Sequence, residues 1–186
     1  MKYLIVGLGN IGREYENTRH NIGFNIADQL AKSDQAIFST EKHAQITSIT
    51  IKGITLHIIK PTTYMNLSGK AVSYWLQQLK VTPSNMLVLV DDLALPFGTL
   101  RLKPKGSDAG HNGLKDIEAV LGNNDYPRLR FGIGNNYPKG RQVDYVLGAF
   151  SKEEQSELPI LIDQSIEIIK SFVTAGIEIT MTNFNK

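Results

Sequence analysis

Apolar residues occur along this chain in blocks of two lengths, which predict two kinds of secondary structure. Short apolar runs, several of them bounded by glycine, are typical of buried β-strands, whereas longer stretches with apolar residues three and four positions apart are typical of helices. The predicted strands cover residues 2–6, 44–51, 54–60, 86–90 and 128–133. One predicted helix begins near Ile22, and two others cover residues 68–79 and 112–121, the latter ending at Gly122. A fourth follows Ser151, which forms a predicted capping box with Glu154.

Strands and helices alternate in this prediction, except at one hairpin. Lys52 and Gly53 separate two β-rich runs and predict a tight turn between antiparallel strands. The sequence therefore predicts an α/β fold with a mixed but mostly parallel sheet, flanked by helices in three α/β/α layers. A length of 186 residues suits a single domain spanning residues 1–186.

Composition narrows the class of protein. With 41% hydrophobic and 20% charged residues, the chain is an ordinary globular sequence. It contains no cysteine, which excludes disulfide scaffolds, thiolate metal sites and thiol nucleophiles. No apolar run reaches the roughly 18 residues of a membrane span, and the start of the chain resembles a strand more than a signal peptide. We therefore predict a cytoplasmic protein with no membrane partner.

Positive charge is concentrated in one segment, although the net charge is only +2. Residues 101–141 contain eight basic and four acidic residues, a local net charge of +4. This concentration suggests a local anion site, such as one for phosphate. An ordinary solvated face remains the alternative on charge alone.

Gly7, Gly9 and Gly12 follow the first strand with the spacing of a dinucleotide-binding motif. That motif needs a helix to begin inside it, with its N-terminus facing a pyrophosphate. Residues 13–20 are polar and lack an apolar period, so we predict a loop instead, with the turn directing Asn10 over the strand end. A nicotinamide-dependent oxidoreductase is kept as a rival function.

Several polar residues follow predicted strands, where open α/β sheets place their ligands. His20 and Asp91 could form a pair in which the carboxylate orients an imidazole that acts as a base near neutral pH. Asparagine amides nearby could stabilise an oxyanion. This combination indicates a water-activating esterase or amidase acting on a phosphate-bearing substrate. The alternative is that each residue serves only as a cap, a turn residue or part of a salt bridge.

Other chemistries find less support in the sequence. There is no GxSxG motif for a serine nucleophile and no phosphate-binding GxxxxGK[ST] loop. The histidines lack HxxxH or HExxH spacing, so we predict no metal site.

Seven segments, in order along the chain, resemble those of the bacterial-type peptidyl-tRNA hydrolase family. They are LIVGLGN, EYENTRHNIGF, KPTTYMNLSGKAV, DDLALPFG, GHNGLKDI, LGNNDYPRLRFGIG and DYVLGAF. The resemblance covers essentially the whole chain. It implies an enzyme that hydrolyses the ester joining a peptide to the 3′ end of tRNA, without a cofactor.

The resemblance also implies roles for individual residues. His20 resembles the family's catalytic base, Asp91 the acid that supports it, and Asn10 a catalytic-site residue that contacts the peptide part. Positions that resemble contacts to the tRNA end or the adjoining peptide are Tyr15, Tyr64, Met65, Asn66 and Asn112. Positions that resemble the family's grip on tRNA phosphate are Lys103, Lys105 and Arg130. The implied partner is peptidyl-tRNA, with the protein acting as a monomer without an obligate protein partner.

The chain departs from the family pattern at three places, one of which is the segment 106–110, GSDAG, where the family is richer in glycine. Ile11 stands where the family commonly has proline, and Asp92 and Ala94 replace longer or more polar residues after Asp91. A second rival function, a tRNA-binding module without catalysis, also remains open at this stage.

Overall fold

The computed structural model describes all 186 residues, which form seven strands and six helices. The strands are β1 (Lys2–Gly7), β2 (Ser39–Glu41), β3 (Ala44–Ile51), β4 (Ile54–Pro61), β5 (Met86–Asp92), β6 (Leu100–Lys103) and β7 (Arg128–Gly132). The helices are α1 (Ile22–Ser33), α2 (Ser68–Leu79), α3 (Asn112–Leu121), α4 (Gln142–Val146), α5 (Lys152–Ala175) and α6 (Ile177–Phe184).

All seven strands belong to one sheet with the order β2-β3-β4-β1-β5-β7-β6. The four central strands, β4, β1, β5 and β7, are parallel to one another. The pairs β2–β3, β3–β4 and β6–β7 are antiparallel. The predicted mixed sheet is therefore confirmed, with the parallel pairing confined to its centre.

Helices cover both faces of the sheet, which confirms the three-layer prediction. Alternate β1 residues point to opposite sides, so that Ile5 joins one hydrophobic core and Leu4 the other. Apolar residues of α1 and α5 fill the core around Ile5, and those of α2 and α3 fill the core around Leu4. None of the helices combines the length and the apolar character that a membrane span requires.

The amphipathic helices begin and end close to their predicted limits. Helices α2 and α3 have the predicted bounds, and α3 ends at Gly122 in the left-handed conformation (φ 81°). Ser151 and Glu154 form the predicted capping box at the start of α5, and Pro159 lies within this helix without dividing it. The elements that were not predicted are β2, β6, α4 and α6.

The glycine-rich turn after β1 does not begin a helix, as the polar sequence after it indicated. A single turn of 3-10 helix follows at Arg13–Tyr15, and α1 starts only at Ile22. A Cβ atom at Gly9 would lie 2.7 Å from the Phe24 ring, and one at Gly7 would clash with the Gly23 carbonyl. These glycines thus allow α1 to pack closely on β1, and the pyrophosphate-binding geometry of a dinucleotide site is missing.

Gly23 in α1 also allows this close packing, so replacing it should reduce the stability of the fold. A Cβ atom there would lie 2.5 Å from the Leu8 nitrogen and 2.6 Å from the Leu89 carbonyl oxygen, so backbone would have to move. We expect Gly23→Ala to lower the free energy of unfolding by about 1–3 kcal/mol, measured by urea denaturation. Gly106→Ala is the matched control, since its Cβ would meet only the end of the Arg130 side chain. Equal stability of both variants and the wild type would contradict this packing argument.

Candidate active site

Asp91 lies at the carboxyl end of β5, at the edge of the sheet where the four parallel strands end. Two histidines reach this edge from other parts of the chain. His20 lies in a turn of 3-10 helix immediately before α1, and His111 immediately precedes α3. The fold therefore brings together polar residues from three distant segments at the edge where open α/β sheets bind ligands.

Asp91 and His20 are in direct contact. The Nδ1 atom of His20 lies 2.8 Å from Oδ2 of Asp91, and only 12% and 3% of the two side chains are exposed. An ionised carboxylate can only accept hydrogen bonds, so Nδ1 carries the hydrogen and donates it. In the neutral ring, Nε2 of His20 is then the nitrogen that can accept a proton.

His111 contacts the other oxygen of the same carboxylate and was absent from the predicted site residues. Its Nε2 atom lies 2.9 Å from Oδ1 of Asp91, and its Nδ1 atom accepts a hydrogen bond of 3.1 Å from the backbone N–H of Gly113. The two contacts require hydrogen on Nε2 and none on Nδ1. Both ring nitrogens of His111 are therefore occupied, which leaves His20 as the histidine with an available basic nitrogen.

The contact between His20 and Asp91 shifts the pKa of both groups. Burial of His20 lowers its pKa, but attraction to Asp91 and the hydrogen bond between them outweigh burial and raise the pKa above its ordinary value of 6.5. Burial would raise the pKa of Asp91, but the two imidazoles and their hydrogen bonds hold it far below its usual range. Asp91 is therefore ionised throughout the neutral pH range.

Asn10 is held by contacts with two other segments. The Asn21 side chain accepts a 2.8 Å hydrogen bond from the Asn10 N–H and donates a 2.9 Å bond to the Asn10 carbonyl. The Asn10 side-chain oxygen accepts a 2.7 Å bond from the backbone N–H of Met65. Because this bond occupies the oxygen, the side-chain NH₂ remains as the available donor. Asn21 thus holds the Asn10 backbone in place and is, after His111, the second residue of the site that the sequence analysis missed.

A cavity of about 90 Å³ opens beside the two histidines. Asn112 lines it together with His20, Asp91 and His111, and α4 contributes an apolar wall through Val143 and Val146. The cavity therefore offers polar groups on one side and apolar surface on the other.

The remaining predicted contact residues lie around Asn10. Asn66 and Tyr64 are exposed and flank Met65, which is 4% exposed. The rings of Tyr15 and Tyr64 meet edge to face with centroids 6.4 Å apart. Asn66 and Asn112 make no side-chain hydrogen bond within the protein, so both amides are available to a ligand. His111, and not Asn112, caps α3.

The three predicted phosphate-binding residues have different surroundings. Lys103 and Lys105 are exposed, and Lys103 ends β6 opposite Arg128 at the start of β7. Arg128 lies four residues along β7 from Gly132, which pairs with Asp92, so Lys103 is roughly 13 Å from the edge of the sheet where Asp92 lies. Arg130 is only 9% exposed, lines the cavity, and donates a 2.7 Å hydrogen bond to the Ser107 carbonyl.

The two histidines and Asp91 also form the group of side chains best placed to hold a metal ion. Each offers one ligand atom, and these atoms lie within 4.8 Å of one another. Both Asp91 oxygens already accept imidazole hydrogen bonds, however, and Nδ1 of His111 accepts one from Gly113. A metal ion would have to replace these bonds, so hydrogen bonding alone accounts for the arrangement of the three side chains. The absence of a metal site stays a prediction.

Comparison with known proteins identifies relatives over the whole chain. The sequence model of the family described as peptidyl-tRNA hydrolase matches residues 4–186. The curated peptidyl-tRNA hydrolase of Phocaeicola vulgatus is 57% identical over 186 residues and all of both chains. That of Parabacteroides distasonis is 58% identical over 185 residues, covering 100% of this chain and 99% of the relative.

Solved structures agree with the sequence comparison. The crystal structure of peptidyl-tRNA hydrolase from Acinetobacter baumannii superposes with a TM-score of 0.92 at 36% sequence identity, covering 98% of this chain and 94% of that one. Matching sequence, fold and length together show that the chain belongs to the peptidyl-tRNA hydrolase family.

Proposed function

We propose that this protein hydrolyses the ester between the peptide and the 3′-terminal ribose of peptidyl-tRNA, with His20 as the general base. Membership of the family supports an ester-hydrolysing enzyme that acts on this substrate. The observation that carries the mechanism is the hydrogen bond from Nδ1 of His20 to Asp91, because it leaves Nε2 able to take a proton. The proposed enzyme acts as a cytoplasmic monomer and requires no cofactor.

In the proposed reaction, Nε2 of His20 removes a proton from water while the water oxygen attacks the ester carbonyl. Asp91 stabilises the resulting imidazolium across 2.8 Å. The carbonyl oxygen becomes negatively charged and accepts hydrogen bonds from amides among Asn10, Asn66 and Asn112. The bond to the ribose oxygen then breaks, and His20 returns the proton to that oxygen. The products are the free peptide acid and tRNA.

Removing the base should abolish turnover without removing the binding surface. We expect His20→Ala to lower kcat by about 10²–10⁴-fold in a single-turnover assay with N-acetylaminoacyl-tRNA, while tRNA binding remains close to that of the wild type. His43→Asn is a suitable control because His43 lies outside the site and has a positive φ of 65° that asparagine tolerates. A His20→Ala protein with wild-type turnover would refute the proposed base, and a wild type that binds tRNA without hydrolysis would favour the binding module.

The pH profile should report the contact between His20 and Asp91. The base must be neutral to act, so kcat/KM should rise with pH through an apparent pKa above 6.5. Asp91→Asn removes the charge that stabilises the imidazolium, so this variant should be slower and its inflection should move to lower pH. Asp125→Asn, at an exposed loop residue, should leave the profile unchanged. An unchanged inflection in Asp91→Asn would remove Asp91 from the mechanism.

Lys103 and Lys105 should act in docking and not in the chemical step. Both are exposed, and Lys103 lies roughly 13 Å along the sheet from the Asp92 end, which suits contact with tRNA phosphates away from the reacting end. We expect replacing both with alanine to raise KM, to leave kcat largely unchanged, and to weaken the dependence of binding on salt. Lys32→Ala, at an exposed lysine in the last turn of α1, is the control. A fall in kcat at constant KM would instead place these lysines in catalysis.

A further inference from the structure

Arg128, the first residue of β7, is a fully buried cation that the proposed reaction does not use. A buried charge costs free energy unless hydrogen bonds satisfy it. Nη1 of Arg128 donates to the Gly106 carbonyl at 3.1 Å, and Nη2 donates to the carbonyls of Asn124 at 2.7 Å and Tyr126 at 3.2 Å. The guanidinium also lies over the Tyr126 ring, 4.0 Å from its centroid. Arg128 therefore ties the segment before β7 to the loop between β6 and α3, residues 104–111, which we call the β6–α3 loop.

Backbone carbonyls, and not an acid, are the main partners of Arg128. Glu118 in α3 lies 3.6 Å from Nη1, too far for a hydrogen bond, and its Oε1 atom is buried without a hydrogen-bond partner. Burial and repulsion from Asp108 raise the pKa of Glu118, and attraction to Arg128 does not offset them. The ion pair is therefore loose, and every side-chain hydrogen bond of Arg128 goes to the backbone.

The β6–α3 loop has few other contacts that could fix its position. None of its residues belongs to either hydrophobic core. Ala109 and Gly110 have positive φ angles of 51° and 81°, in a turn closed by bonds to Asp108 from the N–H groups of Gly110 and His111. These bonds shape the turn but do not attach it to the sheet. Because segments with few buried apolar contacts open most easily, the attachment of this loop depends on its polar anchors.

The β6–α3 loop ends at two groups of the active site. His111, its last residue, contacts Asp91 at 2.9 Å, and Asn112 follows at the start of α3 and lines the active-site cavity. Gly106 lies only five residues before His111, so the bond to the Gly106 carbonyl limits how far the end of the loop can move. Without that bond, both groups would be free to leave their positions.

A second arginine holds the same loop, but it is accessible to ligands. Arg130 lies two residues from Arg128 on β7, so both side chains leave the sheet on the same side. Arg130 donates a 2.7 Å bond to the Ser107 carbonyl, and it also lines the active-site cavity, where a substrate phosphate can compete for it. Arg128 is out of reach of any such ligand. Its bonds therefore persist when substrate is bound.

We infer that Arg128 is a positioning residue, which holds the β6–α3 loop so that His111 and Asn112 remain at the active site. This inference rests on the proposed function, since Asn112 is one of the proposed amide donors. It predicts that weakening the bonds of Arg128 slows the chemical step. Docking should change little, because Lys103 is held by backbone pairing of β6 with β7, which a change of side chain at Arg128 leaves intact.

The test variant is Arg128→Lys, which keeps the charge but lacks the planar set of donors that reaches several carbonyls at once. We expect kcat with N-acetylaminoacyl-tRNA to fall by about 10- to 100-fold with little change in KM, because displaced groups act in the transition state.

Proton NMR of protein with isotopically labelled histidine gives a readout that does not depend on activity. In the wild type, His20 and His111 each donate an imidazole N–H to Asp91. In Arg128→Lys the hydrogen-bonded N–H resonance of His111 should disappear. That of His20 should remain, because His20 is held at the start of α1 and not by the β6–α3 loop.

Two controls separate positioning from general stability. Glu118→Gln removes the loose ion pair and leaves the carbonyl bonds of Arg128 in place, so kcat and both resonances should stay as in the wild type. Ile168→Val weakens the core on the opposite face of the sheet and should also leave them unchanged. If Arg128→Lys fails to fold, Arg128→Met/Glu118→Gln takes its place, because it removes both charges and leaves no unpaired buried ion.

The outcomes separate this inference from the proposed function. A fall in kcat together with loss of the His111 resonance alone supports the inference. Wild-type kcat, a rise in KM alone or an intact His111 resonance overturns it. Loss of both imidazole resonances also overturns it, since Arg128 would then support the fold in general. A wild type that hydrolyses no substrate overturns the proposed function, while the His111 resonance still decides whether Arg128 holds the loop.

Discussion

The arrangement of the site depends on one buried carboxylate that serves two imidazoles. Asp91 accepts one hydrogen bond on each oxygen, from His20 and from His111. The two rings are nevertheless not equivalent, because the N–H of Gly113 occupies the second nitrogen of His111 and nothing within the protein occupies Nε2 of His20. Although both rings contact the same carboxylate, only His20 therefore keeps a nitrogen that can accept a proton. The two histidines differ because His111 lies at the N-terminus of α3, where a backbone N–H occupies its second nitrogen.

The close approach of α1 to the sheet places that nitrogen. His20 lies just before α1, so its position depends on how near the helix comes to β1 and β5. Gly23 faces backbone atoms of Leu8 and Leu89, and Gly7 faces the Gly23 carbonyl, so a side chain at either position would displace the helix. Gly7, which belongs to the sequence that resembles a dinucleotide motif, therefore helps indirectly to bring His20 to the end of β5.

The parts of the structure predictable from sequence are those governed by local pattern. The bounds of α2 follow from apolar periodicity, and those of α3 from periodicity together with the glycine at its end. The site at the strand ends follows from the rule for open sheets. Strand β6 has only four residues at the sheet edge, where pairing with β7 and not its own pattern decides its conformation. His111 and Asn21 were missed for a related reason, since their roles exist only through contacts between distant segments.

The turn after β1 shows how the chain accommodates its departure from the family pattern at Ile11. Proline at that position would restrict the backbone beside Asn10. Here the same restriction comes from hydrogen bonds, because Asn21 holds both the N–H and the carbonyl of Asn10, and Met65 holds its side-chain oxygen. Asn10 is also 9% exposed, so these bonds are shielded from competition with water. Since three bonds from two other segments fix the amide, its orientation does not depend on the residue that follows it.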